Sequence, residues 1–140
     1  MKVFLCGGGG DKQTVEVNKL YAGMIVGGSA GAIIFGKDIK CSDYADENII
    51  GLEDTSGFNI LYGYDICCHY KNRDEERNTY EYNYILNYSK EGNKVLALTE
   101  ETHLFVEDNK FTVIGQKECT VFENGLKRAI ECKAAELLNR

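Results

Sequence analysis

The eleven residues Met24 to Ile34, Met-Ile-Val-Gly-Gly-Ser-Ala-Gly-Ala-Ile-Ile, constrain this chain more than any other stretch. A short apolar strand runs into Gly27-Gly28-Ser29-Ala30-Gly31, and a helix start of small residues follows. That is the G-x-S-x-G pattern in the strand–turn–helix setting that gives it meaning. Glycine permits a sharp turn where a larger side chain would collide with backbone. Ser29 is expected at the carboxyl end of its strand as a nucleophile, with the Ala30 N–H facing the same spot. Amides so placed suit a developing oxyanion. A plainer reading makes Ser29 a helix cap on a glycine-rich turn. The coincidence of strand, glycines and helix favours the nucleophile.

The 140 residues, read as one domain over 1–140, suffice for a real core but are few for an α/β enzyme. A net charge of −6 with no basic stripe argues against a nucleic-acid partner. No apolar run reaches the roughly 18 residues that a membrane span needs. Met1 to Cys6 is too short for a signal-peptide core, so a cytoplasmic location is expected. Cys6, Cys41, Cys67, Cys68, Cys119 and Cys132 show no C-x-x-C spacing and are expected as free thiols. Cys67 and Cys68 on one strand face opposite ways, so Cys67-Cys68-His69 is not read as a metal site. The run Gly7 to Gly10 is no nucleotide signature, because Lys12 is followed by Gln13. No cofactor is expected.

Along the chain, Lys2 to Cys6 reads as a strand, Gln13 to Tyr21 as a short helix and Met24 onward as the next strand, together a minimal βαβ unit. Within the polar 37–63 stretch, Ile49-Ile50 and Phe58 to Leu61 are the expected buried pieces. Tyr64 to Tyr70 reads as a strand with His69 near its end. Asp74 to Tyr88 has helical spacing, and its stripe of Tyr80, Tyr84, Ile85 and Tyr88 is read as packing. Val95 to Leu98 is a strand, and Leu104–Val106 with Phe111–Ile114 a hairpin. Thr120 to Phe122 is a strand ended by Asn124-Gly125, and Ala129 to Leu138 an amphipathic helix.

A serine nucleophile needs a base and a group to orient it. Only His69 and His103 can be that base. His69 follows a strand, where α/β sites collect side chains, whereas His103 sits in a period-two run and looks structural. The order usual in α/β-hydrolases would need Asp65 and His103; the competing order is Ser29, His69 and then Glu100 or Glu101.

Phe4-Leu5-Cys6-Gly7-Gly8-Gly9, Gly27-Gly28-Ser29-Ala30-Gly31-Ala32, Cys68-His69-Tyr70-x-x-Arg73 and Glu100-x-Thr102 before a hairpin ending at Gly115 lie in this order along the chain. Together they resemble the dipeptidase E and cyanophycinase family of serine peptidases. The resemblance implies an α/β fold: a mostly parallel sheet flanked by helices with a C-terminal β-hairpin, a truncated class I glutamine-amidotransferase-like three-layer sandwich. It implies a cytoplasmic hydrolase of small peptides, with N-terminal aspartyl dipeptides among its substrates. Ser29 becomes the nucleophile, His69 the base and Glu100 the acid, with Glu101 as fallback. Family chains carry further strand–helix units before the nucleophile strand, including an oxyanion loop, whereas here Tyr21-Ala22-Gly23-Met24 crosses that gap directly. With those units gone, β-pairing of Val3–Leu5 with Met24–Val26 is expected, with Gly8 or Gly9 completing an oxyanion hole beside Ala30. The exposed sheet edge implies a homo-oligomer. The alternative is a catalytically impaired remnant acting as a dimerising or interaction domain.

Overall fold

The computed structural model describes residues 2–7, 24–108 and 110–132. Its regular elements are β1 (Lys2–Cys6), β2 (Met24–Gly28), α1 (Ala30–Ile33), β3 (Tyr64–Cys67), α2 (Glu75–Lys90), β4 (Lys94–Ala97), β5 (Thr102–Glu107), β6 (Lys110–Gly115), β7 (Cys119–Glu123) and β8 (Leu126–Ile130). They form two four-stranded sheets, in the orders β2-β1-β5-β6 and β3-β4-β7-β8. β1 pairs parallel to β2, with Val3 opposite Ile25 and Leu5 opposite Gly27.

The class is α/β as expected, but the sheets are mixed. Among the described residues β1/β2 and β3/β4 are parallel, while β1/β5, β4/β7, β5/β6 and β7/β8 are antiparallel. The physical reason is connection length. Parallel neighbours need a crossover of a dozen or more residues, whereas two residues suffice for a hairpin. After β4 the short connections make hairpins of β5/β6 and β7/β8, and these two hairpins add their first strands antiparallel to β1 and β4. Asn124 and Gly125 sit at φ 53° and 71°, the left-handed pair that closes a two-residue turn. This turn sends Ala129 and Ile130 into β8, so the expected C-terminal helix does not begin there. Its remainder, 134–138, and the expected helix over 13–21 lie outside the described residues.

Strand alternation divides the core in two. Ile66, Leu96 and Val121 share a row of the second sheet and join Leu5, Ile25, Leu104, Val106 and Val113 of the first. Ala32 and Phe35 seal this cluster behind the serine turn. From the opposite face of the second sheet Cys67, Val95, Ala97 and Phe122 pack with Ile85 of α2. Each wholly buried aliphatic side chain contributes about 1.5–3 kcal/mol.

α2 starts at Asp74, whose carboxylate accepts the Arg77 N–H at 2.9 Å, and carries Glu75 and Glu76 in its first turn. Its buried stripe is Glu81, Ile85 and Ser89, and Tyr80 of the expected tyrosine stripe is 60% exposed. Ile49 and Ile50, expected inside, are 87% and 86% exposed. They cap a turn that Asn48 closes on Leu52 through both amide atoms, so backbone bonding and not burial shapes it. Of the 58–61 piece, Leu61 is fully buried and Phe58 stays half-exposed.

Candidate active site

Ser29 sits between β2 and α1 with φ 51° and ψ −124°, a backbone that L side chains rarely adopt. The turn is held from three sides. Ala32 and Ile33 donate their N–H groups to the Ser29 carbonyl at 2.8 and 3.1 Å, and the Cys68 thiol donates to the same oxygen at 3.5 Å. Gly27 makes it possible: a Cβ there would stand 2.4 Å from the Gly31 carbonyl oxygen and 2.9 Å from the Phe35 ring.

His69 follows β3 and also has positive φ, 59°. Its N–H donates to the Gly7 carbonyl at 3.0 Å, while the Gly7 N–H donates to Thr102 at 3.2 Å. The end of β1 is thus stitched between the two turns that carry His69 and Glu100. Gly7 has no room for a side chain, since a Cβ would lie 2.1 Å from the Thr99 carbonyl oxygen.

These supports bring the side chains into line. Ser29 Oγ is 2.9 Å from His69 Nε2, and His69 Nδ1 is 3.2 Å from Glu100 Oε1. With its proton on Nδ1 the ring donates to the carboxylate and offers Nε2 as an acceptor to the hydroxyl. His69 is 29% and Glu100 49% exposed, so the line is open to solvent. Ser29 leaves the edge strand of the first sheet, whereas His69 and Glu100 follow the parallel neighbours β3 and β4 of the second. The site therefore spans the two sheets.

The other candidates go elsewhere. Glu101 pairs with Lys117 Nζ at 2.5 Å. Asp65 accepts from the Asp38 N–H and the Tyr88 hydroxyl, and His103 lies in β5 opposite Ile114. The order Ser29, Asp65, His103 is therefore not assembled. Gly8 and Gly9 lie outside the described residues. Burial pushes the Cys67 thiol well up, so it stays protonated and is a poor ligand or nucleophile. Among the described residues no cluster of His, Cys, Asp and Glu could hold a metal ion, and no helix is long and apolar enough to cross a membrane.

Several supporting residues escape a motif reading. The Thr102 hydroxyl, wholly buried, bonds Thr99 Oγ1 at 2.7 Å and reaches the Lys117 carbonyl, which pins the turn bearing Glu100. Glu81 accepts the Lys71 N–H at 2.9 Å, the Arg73 guanidinium at 3.0 Å and the Tyr44 hydroxyl at 2.6 Å, which fastens the loop after His69 onto α2. Asn72 donates its side-chain N–H to Glu100 Oε1 at 2.6 Å. The signal for Arg73 was its place in the Cys68-His69-Tyr70-x-x-Arg73 motif; Asn72 fills an unspecified position there.

Comparison with known proteins bears on the same elements. The fold is similar to that of a Listeria monocytogenes EGD-e protein described as a "Putative Peptidase E Protein" (TM-score 0.51, 14% identity, covering 69% of this chain and 45% of that one). It is also similar to a peptidase from an acI-B1 Actinobacterium (TM-score 0.53, 15% identity, 79% and 43%). The chain thus spans less than half the length of either. No curated protein matches it. The sequence model of peptidase family S51 matches residues 13–114, a stretch that contains Ser29, His69, Asn72 and Glu100, and the chain belongs to that family.

Proposed function

We propose that this chain is a serine-type peptidase acting on small peptides through Ser29, His69 and Glu100. The observation that carries the reading is the unbroken hydrogen-bonded line from Ser29 Oγ through both ring nitrogens of His69 to the Glu100 carboxylate. In it Ser29 Oγ attacks the substrate carbonyl while its proton passes to Nε2. Glu100 stabilises the imidazolium and keeps its ring in place. The Ala30 N–H receives the oxyanion. Collapse of the tetrahedral intermediate breaks the C–N bond, and Nε2 protonates the departing amine. Water, deprotonated by the same nitrogen, then releases the acyl group and restores Ser29.

For substrate we favour short peptides with an acidic residue, N-terminal aspartyl dipeptides in particular. A cavity of about 330 Å³ lined by Tyr70, Lys71, Thr99, Lys117, Glu118 and Thr120 adjoins the Glu100 turn; Lys117 is engaged by Glu101, which leaves Lys71 as the cation that complements such a side chain beside the Glu118 carboxylate. The buried thiols of Cys41, Cys67, Cys68 and Cys119 suit a reducing cytoplasm.

A fluorophosphonate probe tests the reading. Ser29 should be labelled, and Ser29→Ala and His69→Ala should each abolish labelling and any aspartyl-dipeptide hydrolysis. A folded parent that resists the probe would leave the remnant reading, an interaction domain, which the direct passage from Tyr21 to Met24 without the family's further strand–helix units favours.

A further inference from the structure

We infer that Asn72 is a positioning residue for the acid of this site. It acts by clamping the Glu100 carboxylate against His69, and the inference rests on the triad reading above. Glu100 stands in the turn between β4 and β5 with about half its side chain in water, and an exposed carboxylate ordinarily samples several rotamers. Here one oxygen, Oε1, takes two donors: His69 Nδ1–H at 3.2 Å and Asn72 Nδ2–H at 2.6 Å. A carboxylate can only accept, so it is the amide nitrogen of Asn72 that faces it.

The two donors come from one turn. The Asn72 N–H donates to the His69 carbonyl at 3.1 Å, so imidazole and amide approach Glu100 side by side. The loop around Asn72 is itself fixed. Lys71 N–H is bound by Glu81 Oε2 at 2.9 Å, and both backbone groups of Arg73 are bound by the Asn78 side chain, at 3.0 and 2.8 Å. His69 and Lys71 hold φ of 59° and 60°, conformations that need such over-determination. The backbone of the Glu100 turn is held through Thr102, but the carboxylate extends from that turn half in water, and it is the donors on the His69 loop that fix its rotamer. Because the amide is neutral, it does so without competing with the imidazolium for charge.

The test is a double-mutant cycle read by the second-order rate of fluorophosphonate labelling, with thermal melts as a control for folding. Asn72→Ala should slow labelling about tenfold. Asn72→Asp, which keeps size and shape, should slow it at least as much, because a second carboxylate then faces Glu100. In a Glu100→Ala background, Asn72→Ala should change the rate less than twofold. Equal losses in both backgrounds, or an Asn72→Asp protein as reactive as the parent, overturn the clamp and leave the triad reading standing. A parent that does not label at all overturns both.

Discussion

Asp65 shows what a single buried residue costs this protein. It is 1% exposed in β3, accepting from the Asp38 N–H at 2.7 Å and the Tyr88 hydroxyl at 2.9 Å. Burial raises its pKa above the ordinary 3.8, and those two hydrogen bonds pull back only part of the shift. The folded protein therefore holds this proton more tightly than the unfolded chain does. Stability from this group is fully present below the ordinary value and is lost as pH rises through the raised one. Asp65→Asn removes the ionisation, so its stability relative to the parent should improve as pH rises across that window. Urea melts at about pH 3.5 and about pH 6 measure this, and a difference that does not change between them rules it out. Ser29 carries a different cost, of about 1–3 kcal/mol for its backbone conformation. Gly27, which admits the close approach, and the three donors on the Ser29 carbonyl oppose that cost.

Among the elements, α2 does most to fix the site from a distance. Through Glu81 it holds the loop from His69 to Arg73, and the Glu81 carboxylate is fully buried among its donors. Removing the guanidinium leaves a buried charge short of its ionic partner, which costs about 3–5 kcal/mol in comparable settings. Arg73→Ala should lower unfolding free energy by that order in urea titrations. Glu81→Gln, which keeps an acceptor for Lys71 or Tyr44, should cost less. A cost within 0.5 kcal/mol for Arg73→Ala, about that of an ordinary surface change, would show that the anchor is unimportant. β4 and β5 do the equivalent for Glu100, since the Thr102 hydroxyl ties their connecting turn to the start of β7.

At the scale of the molecule, the two sheets share the larger of the two apolar clusters and the site lies where their ends meet. Among the described residues β2 is the end strand of its sheet, and Met24 and Val26 on it are 55% and 45% exposed. Such an edge pairs readily with another strand, and we expect a second copy to supply it. Sedimentation velocity at micromolar concentration should show a dimer or larger species, and Val26→Lys should shift it towards monomer. A parent that sediments only as monomer defeats the expectation.

What the amino-acid order determined by itself is local: G-x-S-x-G at a strand-to-helix turn, His69 past the end of a strand, the 104–114 hairpin and the helix begun at Asp74. Each depends on residues a few positions apart, where backbone sterics and side-chain period act directly. Tertiary structure decided the rest. Sequence sets Glu100 above Glu101 only by resemblance, and it is packing that turns Glu100 to His69 and gives Glu101 to Lys117. Ile49 and Ile50 look like core by hydropathy, yet a turn closed by Asn48 leaves them in water. Ala129 and Ile130 have helical spacing, but pairing with β7 offers their backbone a ladder that local propensity cannot outweigh. Asn72 and Glu81 carry no motif at all. Their roles exist only because partners 28 and 10 residues away come within hydrogen-bond distance, and long-range proximity is the one quantity a local pattern does not encode.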